Sequence, residues 1–268
     1  MPSLGAMSLP ALRPAALSLG LALPSAMAAA PMPDCVVLLH GLWRSDTSMV
    51  VMQEALELEG YRVVNSDYVS TADPVADLAA AAIPPALEAC GDAPRIHFVT
   101  HSLGGILLRV WSRDHGGPPD RIGRTVMLGP PNQGSELVDA LSDLAPFAWI
   151  NGPAGLQLGT RAAEGLPATL PPVWPGVGVI AGDRSLNPIY SAILPGPDDG
   201  KVTVHATRVD GMEDHVTLPV THTFMASAPV VIAQVTAFLR DGRFAGDVDT
   251  LDALGALADG VIEAVTDE

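Results

Sequence analysis

From residue 35 onward, short apolar segments alternate with longer segments of helical periodicity, and this alternation limits the fold more than any other feature. The clearest apolar segment, residues 35–39, reads Cys-Val-Val-Leu-Leu and suits a parallel strand buried on both faces. Further strands are predicted at 61–65, 96–100, 125–128, 177–181 and 202–209, and helices at 49–58, 73–90, 103–111 and 230–239. Strands that alternate with helices indicate an α/β fold, in which helices cover both faces of a mostly parallel sheet.

Three segments depart from this regular pattern. Pro84-Pro85 is expected to disturb the helix over 73–90, which Asp73 and Pro74 open as N-cap and first residue. Residues 136–175 mix a short helical pattern with Gly, Pro and scattered large apolar residues, which is typical of a cap or lid, although a plain surface insertion has the same character. The C-terminal tail, residues 246–268, carries seven acids and no base, and it fits either an amphipathic helix or a frayed end.

The N-terminal residues have the pattern of a signal peptide. Arg13 is the one charged residue among the first 33, and the apolar stretch 15–27 leads into Ala26 and Ala28, which match the A-x-A cleavage rule. A buried helix or an uncleaved anchor is the alternative, but the stretch is shorter than the ~20 residues that a membrane span needs. We therefore expect residues 1–28 to be removed, leaving a secreted or periplasmic domain at 29–245 with no stable membrane span.

The charge balance excludes some classes of partner. The chain has 14 Lys and Arg against 30 Asp and Glu, a formal net charge of −16. Such a protein cannot bind a phosphate backbone through general electrostatics, so nucleic-acid binding is excluded, and anionic membranes are disfavoured. Neutral esters and lipids remain open as substrates. The chain has two cysteines, Cys35 and Cys90, which an oxidising compartment would allow to pair, and two buried thiols are the alternative.

The segment Thr100-His101-Ser102-Leu103-Gly104 joins a predicted strand to a predicted helix. A serine on so tight a turn projects above the sheet in a strained conformation, and the free N–H groups of the following helix point to where an oxyanion would form. The pattern predicts Ser102 as a nucleophile. Thr100 replaces the usual first glycine of G-x-S-x-G, and serine is also a common N-cap, so these five residues alone leave both roles open.

A His-Gly pair, His40-Gly41, ends the first predicted strand. A glycine at this position lets the backbone turn close to the nucleophile, so the N–H groups of Leu42 and Leu103 are the predicted oxyanion donors. Glycine ends many strands, so the pair gains its weight from its position upstream of Ser102. His40 itself is predicted to be a structural, hydrogen-bonding residue.

The base is predicted among the histidines that lie between the last strand and the closing helix. His222 and His215 both fall there, and His222, seven residues before Pro229, fits the order Ser, acid, His better. His97 and His205 lie in predicted strands, which holds their rings away from the site. His215 is therefore the alternative base.

The acid is predicted in the loop that follows residue 197. It must hold the imidazole in one tautomer from a fixed turn, and Asp199 precedes a glycine there. Asp198 and Asp183 are the alternatives, and capping is the expected role of Asp183. The acids Asp210, Glu213 and Asp214 have the ligand type for Ca²⁺ but are expected to be solvated surface charge, so no metal site is predicted.

In combination, these motifs resemble those of bacterial esterases and lipases of the α/β-hydrolase superfamily. The matching segments, in chain order, are 38–42, 99–105, 129–135, 199–202 and 222–225. The resemblance spans most of residues 35–240 and implies an α/β-hydrolase fold with a cap-like insertion. Its Asp-Gly-x-Val segment assigns the acid to Asp199, and its Pro-Asn-x-Gly-Ser segment implies a loop that borders the pocket. It also implies that Cys35 and Cys90 lie near the N-terminal ends of adjacent strands, where we expect a disulfide.

The implied activity is hydrolysis of carboxylic esters through Ser102, His222 and Asp199 and without a cofactor, and the apolar insertion at 136–175 favours substrates with apolar acyl chains. A thioesterase, an acyltransferase or a polyester depolymerase would use the same three residues. A catalytically silent binding protein on the same scaffold is the alternative outside enzymes. The expected partner is therefore a small-molecule ester or lipid.

Overall fold

The computed structural model describes residues 32–161 and 165–246, together with Gly255. The predicted signal peptide, residues 1–28, lies outside the described residues, and so does the predicted tail, residues 246–268, apart from Gly246 and Gly255. Within the described part of the chain, no helix is long and apolar enough to cross a membrane.

Six parallel strands form one sheet in the order β2-β1-β3-β4-β5-β6. The strands are β1 (Cys35–Leu39), β2 (Arg62–Ser66), β3 (Ile96–His101), β4 (Ile122–Leu128), β5 (Val177–Gly182) and β6 (Asp214–Leu218). The chain passes from β2 on one side of β1 to β3 on the other side. This reversal opens a crevice at the carboxyl ends of β1 and β3, which is where open α/β sheets bind their ligands.

Helices cover both faces of the sheet. They are α1 (Val50–Leu58), α2 (Val75–Ala89), α3 (Leu103–Asp114), α4 (Glu136–Leu141), α5 (Ala145–Leu156), α6 (Pro188–Ser191) and α7 (Pro229–Asp241). Because side chains alternate along a strand, β1 divides between two cores. Val37 and Leu39 pack with α2 and α3, whereas Val36 and Leu38 pack with α1 and α7. The predicted α/β class is confirmed.

One predicted strand is wrong. Residues 202–209 form turns rather than a strand, with one isolated antiparallel bridge between Asp198 and Thr203, and β6 takes the edge of the sheet instead. The alternating sequence Val-Thr-Val-His-Ala-Thr-Arg-Val resembles a strand, but its polar groups bond locally. Thr203 Oγ1 accepts from the N–H of Ala206 at 3.1 Å, and the hydroxyl of Thr207 donates to the Val204 carbonyl at 2.8 Å.

The topology explains why this segment cannot be a strand. The loop at residue 199 lies at the carboxyl edge of the sheet, and β6 must start at the opposite edge because it runs parallel to β5. The intervening residues therefore form the crossover that every parallel connection requires. His205 lies in a turn as a result, and His215 lies within β6 rather than after the last strand.

Helix α2 continues through Pro84 and Pro85, so the predicted disturbance there is wrong. The prolines leave the carbonyl groups of Ala80 and Ala81 without an N–H partner, and both of these residues are exposed, so solvent can satisfy them. The start also differs from the prediction. Pro74 is the N-cap, the side chain of Asp73 makes no capping bond, and the N–H of Val75 donates to Oε1 of Gln157 at 2.8 Å.

The expected disulfide between Cys35 and Cys90 is present, with the two Cα atoms 5.8 Å apart. Cys35 begins β1, and Cys90 follows the last residue of α2, so the bond ties a central strand to the helix that covers it. Both residues are fully buried at the amino edge of the sheet, away from the carboxyl edge that carries Ser102.

The pKa values of His215 and three other histidines lead to a prediction about how the free energy of unfolding depends on pH. Burial, with a contribution from Arg208, lowers the pKa of His215 to about 4, and burial also lowers the pKa of His40, His97 and His101. Below about pH 6.5 the unfolded chain binds protons that the folded chain does not, so the free energy of unfolding should fall between about pH 6.5 and 4. We expect a loss on the order of 1–2 kcal/mol from about pH 7 to 5, measured by urea unfolding.

The matched control for this prediction is His215→Gln. In the parent, Nε2 of His215 lies 2.9 Å from Oγ1 of Thr207, and a glutamine amide can keep a polar contact there without taking up a proton. The variant should lose part of the pH dependence. An unchanged dependence would show that His215 is protonated equally in both states.

Candidate active site

Ser102 occupies the turn between β3 and α3 in a conformation that L-residues rarely adopt. Its φ is 54° and its ψ is −118°, and its N–H donates to the Leu128 carbonyl at 2.8 Å. Helix α3 begins at the next residue, Leu103, whose N–H has no acceptor among the described residues. Such backbone strain costs about 1–3 kcal/mol and is retained mainly at functional sites.

Gly105, in the first turn of α3, accommodates the side chain of Thr100, the residue that replaces the usual first glycine. Thr100 is fully buried, and a Cβ atom on Gly105 would lie 3.2 Å from its Oγ1. Gly105 directly follows Gly104, the second glycine of the predicted pattern. Gly105 thus leaves the space that the β-branched side chain of Thr100 occupies, which explains how the turn forms without glycine at position 100.

The loop after β1 lies against this turn. Leu39 is level with Thr100 in the parallel register, and a Cβ atom on Gly41 would lie 3.1 Å from Cβ of Ser102. The N–H of Trp43, which has a φ of 60°, donates to Oγ of Ser70 at 3.0 Å. The N–H of Leu42 has no acceptor within the described part of the chain. Two backbone donors, at Leu42 and Leu103, are thus free on the two sides of this contact.

His40 supports the loop, as predicted for a structural histidine. Its ring stacks on Tyr68 with a centroid distance of 4.0 Å, and its Nδ1 lies 2.9 Å from the Gly41 carbonyl. The Tyr68 hydroxyl donates to the His40 carbonyl oxygen. The sequence carried no signal for the contribution of Tyr68, which follows β2 and reaches the loop only through strand order.

His222 and Asp199 form a buried pair. Nδ1 of His222 lies 2.7 Å from Oδ2 of Asp199, and both residues are at most 3% exposed. Oδ1 of Asp199 accepts from the N–H groups of Lys201 and Val202, each at 2.9 Å, which fixes the carboxylate. Gly129, with a φ of 52°, leaves the space for the pair, since a Cβ atom there would lie 3.0 Å from Oδ2 of Asp199.

The alternative acids and base lie elsewhere. Asp198 accepts hydrogen bonds from the Ser191 hydroxyl and the Gly200 N–H, so it stabilises the loop. Asp183 pairs with Arg184 at 3.1 Å near the surface. His215 bonds to Thr207 from within β6. Of the alternatives left open by the sequence, the structure thus brings Asp199 to His222. Among the described residues, no group of three or more His, Cys, Asp or Glu is arranged to hold a metal ion.

His101 makes a contact that the sequence did not predict. Its Nε2 donates to the carbonyl oxygen of His222 at 3.0 Å, and the two ring centroids are 4.8 Å apart. Burial, reinforced by His222 and by the cations Lys201 and Arg44, lowers the pKa of His101 well below its usual value. His101 thus holds the backbone of His222 as a neutral donor.

A cavity of about 240 Å³ opens at this point. Its walls include Leu42, Ser102 and His222. Much of the remaining wall comes from the insertion at 136–175 through Leu137, Val138, Phe147, Ile150 and Leu158. Three of the residues singled out in the sequence, Leu42, Ser102 and His222, therefore line one mainly apolar cavity at the carboxyl ends of β1 and β3.

The loop at residues 129–135 borders this cavity, as the sequence resemblance implied. Pro131 and Ser135 line the wall. Asn132 is held by Arg109, a buried residue of α3 whose Nη1 donates to both its carbonyl and its Oδ1 at 3.0 Å. Burial lowers the pKa of Arg109 to about 10. The loop is thus fixed to α3, the helix that begins directly after Ser102.

Solved structures share this architecture. A lipase from Bacillus licheniformis in its mature form matches with a TM-score of 0.61 and 20% identity, over 79% of this chain and 92% of that one. The chain has the α/β-hydrolase fold. A metagenomic carboxyl esterase matches with a TM-score of 0.56 and 17% identity, over 91% of this chain and 80% of that one.

A third solved structure, lipase B from Aspergillus fumigatus, matches with a TM-score of 0.59 and 11% identity, over 82% of this chain and 56% of that one. No family profile and no curated protein matches the sequence. At these identities the comparisons establish the α/β-hydrolase fold, and the activity must be argued from the site.

Proposed function

We propose that this α/β-hydrolase is a secreted serine hydrolase that cleaves carboxylic esters. Ser102 is the nucleophile, His222 the general base and Asp199 the residue that orients the base. The N–H groups of Leu42 and Leu103 form the oxyanion hole. The observation that carries the proposal is the buried contact of 2.7 Å between His222 and Asp199, at a cavity that a strained serine also lines.

The first half of the reaction transfers the acyl group to the enzyme. As Oγ of Ser102 attacks the ester carbonyl, its proton moves to Nε2 of His222, and the carbonyl electron pair moves to the oxygen. The N–H groups of Leu42 and Leu103 stabilise that oxyanion, with about 3 kcal/mol expected from each donor. The C–O bond then breaks, the alcohol leaves with the proton from His222, and the acyl group stays on Ser102.

The second half repeats these steps with water. His222 takes a proton from water as the oxygen attacks the acyl-enzyme, and it returns the proton to Oγ of Ser102 when the acid leaves. Asp199 accepts a hydrogen bond from the Nδ1–H of His222 throughout, so that Nε2 is the nitrogen free to act as base. Two backbone N–H donors keep the carboxylate of Asp199 in that position.

The cavity supports an apolar acyl chain of limited length. Leu137, Val138 and Phe147 contribute apolar wall from the insertion, which we interpret as a cap. A volume of about 240 Å³ is below the ~300–1,000 Å³ of sites that hold drug-sized ligands, which favours short acyl chains over long ones. The disulfide supports export, since such bonds persist in oxidising compartments.

A fluorophosphonate probe together with a chain-length series tests the proposal. We expect the probe to label Ser102, and p-nitrophenyl butyrate to be cleaved with a higher kcat/KM than the octanoate or palmitate. The corresponding thioesters, and acyl transfer to an added alcohol, distinguish hydrolysis of oxygen esters from the thioesterase and acyltransferase alternatives. Absence of labelling together with absence of turnover would favour a binding protein on this fold.

We also expect His101 to act as a positioning residue for His222. Its hydrogen bond to the His222 carbonyl is lost in His101→Leu, and misplacement of a catalytic group by ~1 Å can reduce the rate by about 100-fold. We therefore expect kcat to fall by about 10- to 100-fold with a smaller change in KM. Steady-state kinetics with p-nitrophenyl butyrate measure both constants.

The control for this effect is His101→Gln, whose amide nitrogen can reach the position of Nε2. It should recover a large part of kcat, and the acid limb of its pH–rate profile should lie closer to that of the parent than the limb of His101→Leu does. Equal losses in both variants, in step with the loss of stability on urea unfolding, would reduce His101 to a packing role.

A further inference from the structure

The permanent charges in the cavity wall have one sign. Among the described residues that line it, Arg44 and Lys201 carry a permanent charge, and none is an acid. This bias runs against the composition, since the chain has 30 acids and 14 Lys and Arg. Two cations therefore lie in the cavity wall of a protein whose net charge is strongly negative.

These two cations have few partners. Both are half-buried, and no carboxylate of the described residues lies within 4.0 Å of either, since the ion pairs there involve other side chains. Arg44 donates one long bond, at 3.4 Å, to the Thr223 carbonyl. The ammonium group of Lys201 has no hydrogen-bond acceptor among the described residues. Burial, with the nearby charge of Arg44, lowers the pKa of Lys201.

Arg109 is a buried cation with a structural role, and its hydrogen bonds can be compared with those of Arg44 and Lys201. Its guanidinium also lacks a carboxylate partner, but it donates to both oxygen atoms of Asn132 and to the carbonyls of Leu170 and Pro171. Arg44 and Lys201 have no such set of acceptors. The charged groups of Arg44 and Lys201 are partly desolvated and have no anionic partner among the described residues, so an anionic acceptor supplied from the cavity would stabilise both side chains.

The position of the cations indicates which part of a substrate they meet. Arg44 donates to the carbonyl of the residue after His222, and the backbone N–H of Lys201 donates to Asp199, so both cations lie close to the predicted base. His222 gives its proton to the departing alcohol, and the alcohol must therefore lie beside it. Much of the apolar wall comes instead from α4, α5 and Leu158. An acyl chain suits that wall, and an anion suits the side of the alcohol.

We propose that the substrates are esters whose alcohol portion carries an anionic oxygen group, a carboxylate or a phosphate, which Arg44 and Lys201 bind. This inference rests on the proposed ester hydrolysis at Ser102. The net charge of −16 does not oppose it, because salt screens the distant acids beyond ~8–10 Å, whereas the two cations lie in the cavity wall itself.

A pair of chromogenic butyrate esters tests the proposal on the purified enzyme. The neutral ester is p-nitrophenyl butyrate, and the anionic one is 5-butyryloxy-2-nitrobenzoate, which has a carboxylate on the leaving group. The readout is the ratio of kcat/KM for the anionic ester to that for the neutral one. Comparing this ratio between variants cancels the difference in the chemical reactivity of the two esters.

We expect this ratio to fall by about 3- to 10-fold in Lys201→Met and by a similar factor in Arg44→Gln. The control, Arg113→Gln, removes a cation that pairs with Asp114 at the surface end of α3, and it should leave the ratio unchanged. In the parent, added salt should lower the ratio, a result that needs no variant. Ratios that stay constant in both variants and in salt would overturn the inference.

Two further substrate comparisons identify the anion and the side of the ester that carries it. The first compares 1-butyrylglycerol 3-phosphate with 1-butyrylglycerol and measures the release of butyrate. It distinguishes a preference for phosphate from a preference for carboxylate, and either preference supports the proposal. p-Nitrophenyl hemisuccinate carries its charge on the acyl side, and an equal dependence on Lys201 there would overturn the assignment to the alcohol. If neither neutral nor anionic esters are cleaved and the fluorophosphonate does not react, it is the proposed function itself that fails.

Discussion

Ser102→Ala is expected to reduce kcat for p-nitrophenyl butyrate by about 10⁵- to 10⁶-fold, because no other group can form the acyl-enzyme. The oxyanion donors at Leu42 and Leu103 belong to the backbone and remain in place, so a small rate above that of water should persist. Steady-state kinetics and loss of fluorophosphonate labelling measure the effect. Ser112→Ala, which removes another buried hydroxyl from α3, is the matched control and should retain activity.

The stability of the same site gives a second, independent readout. Ser102 has a φ of 54°, which glycine adopts at little cost and other residues do not. We therefore expect Ser102→Gly to be inactive but at least as stable as the parent on urea unfolding, because it relieves strain of about 1–3 kcal/mol. An active Ser102→Ala variant would refute the proposed mechanism.

Asp199→Asn is expected to reduce kcat by about 10⁴-fold while the fold is retained. The carboxylate accepts a hydrogen bond from the Nδ1–H of His222 at 2.7 Å, and an amide nitrogen in its place would favour the opposite tautomer, in which Nε2 carries the proton. That nitrogen could then no longer accept the proton of Ser102. The measurement is kcat for p-nitrophenyl butyrate, with urea unfolding as the check on folding.

The neighbouring residue supplies the control. Asp198→Asn changes an equally short, buried side chain that bonds to Ser191 and Gly200 rather than to His222. Its asparagine oxygen can still accept from both, so we expect a loss of activity of no more than about tenfold. If Asp198→Asn were the more damaging change, the acid would have to be reassigned.

Several elements could be read from the sequence because their requirements are local. The unbroken apolar run of β1 has the bounds Cys35–Leu39 that the pattern predicts, and α3 begins at Leu103 directly after the predicted serine turn. Residues 202–209 show the limit of such reasoning. Their alternation satisfied the pattern of a strand, but the need to cross from one edge of the sheet to the other took precedence.

In the candidate site, too, some features depend on local sequence and others on the tertiary structure. The motifs around Gly41, Ser102, Asp199 and His222 were visible in the sequence, and their catalytic roles remain predictions. The contact from His101 to the carbonyl of His222 joins residues 121 positions apart, so no local pattern could signal it. The space that Gly129 leaves beside Asp199 was likewise invisible, because the strands that carry the two loops had first to be placed side by side.

By itself, the sequence determined the α/β alternation and the serine turn, since both depend on the periodicity and backbone demands of neighbouring residues. The tertiary structure decided which carboxylate reaches His222, and that His101 supports it. It also decided that Arg44 and Lys201 line one cavity. These outcomes depend on strand order and on the path of the crossover, which bring residues far apart in the chain within a few ångströms of one another.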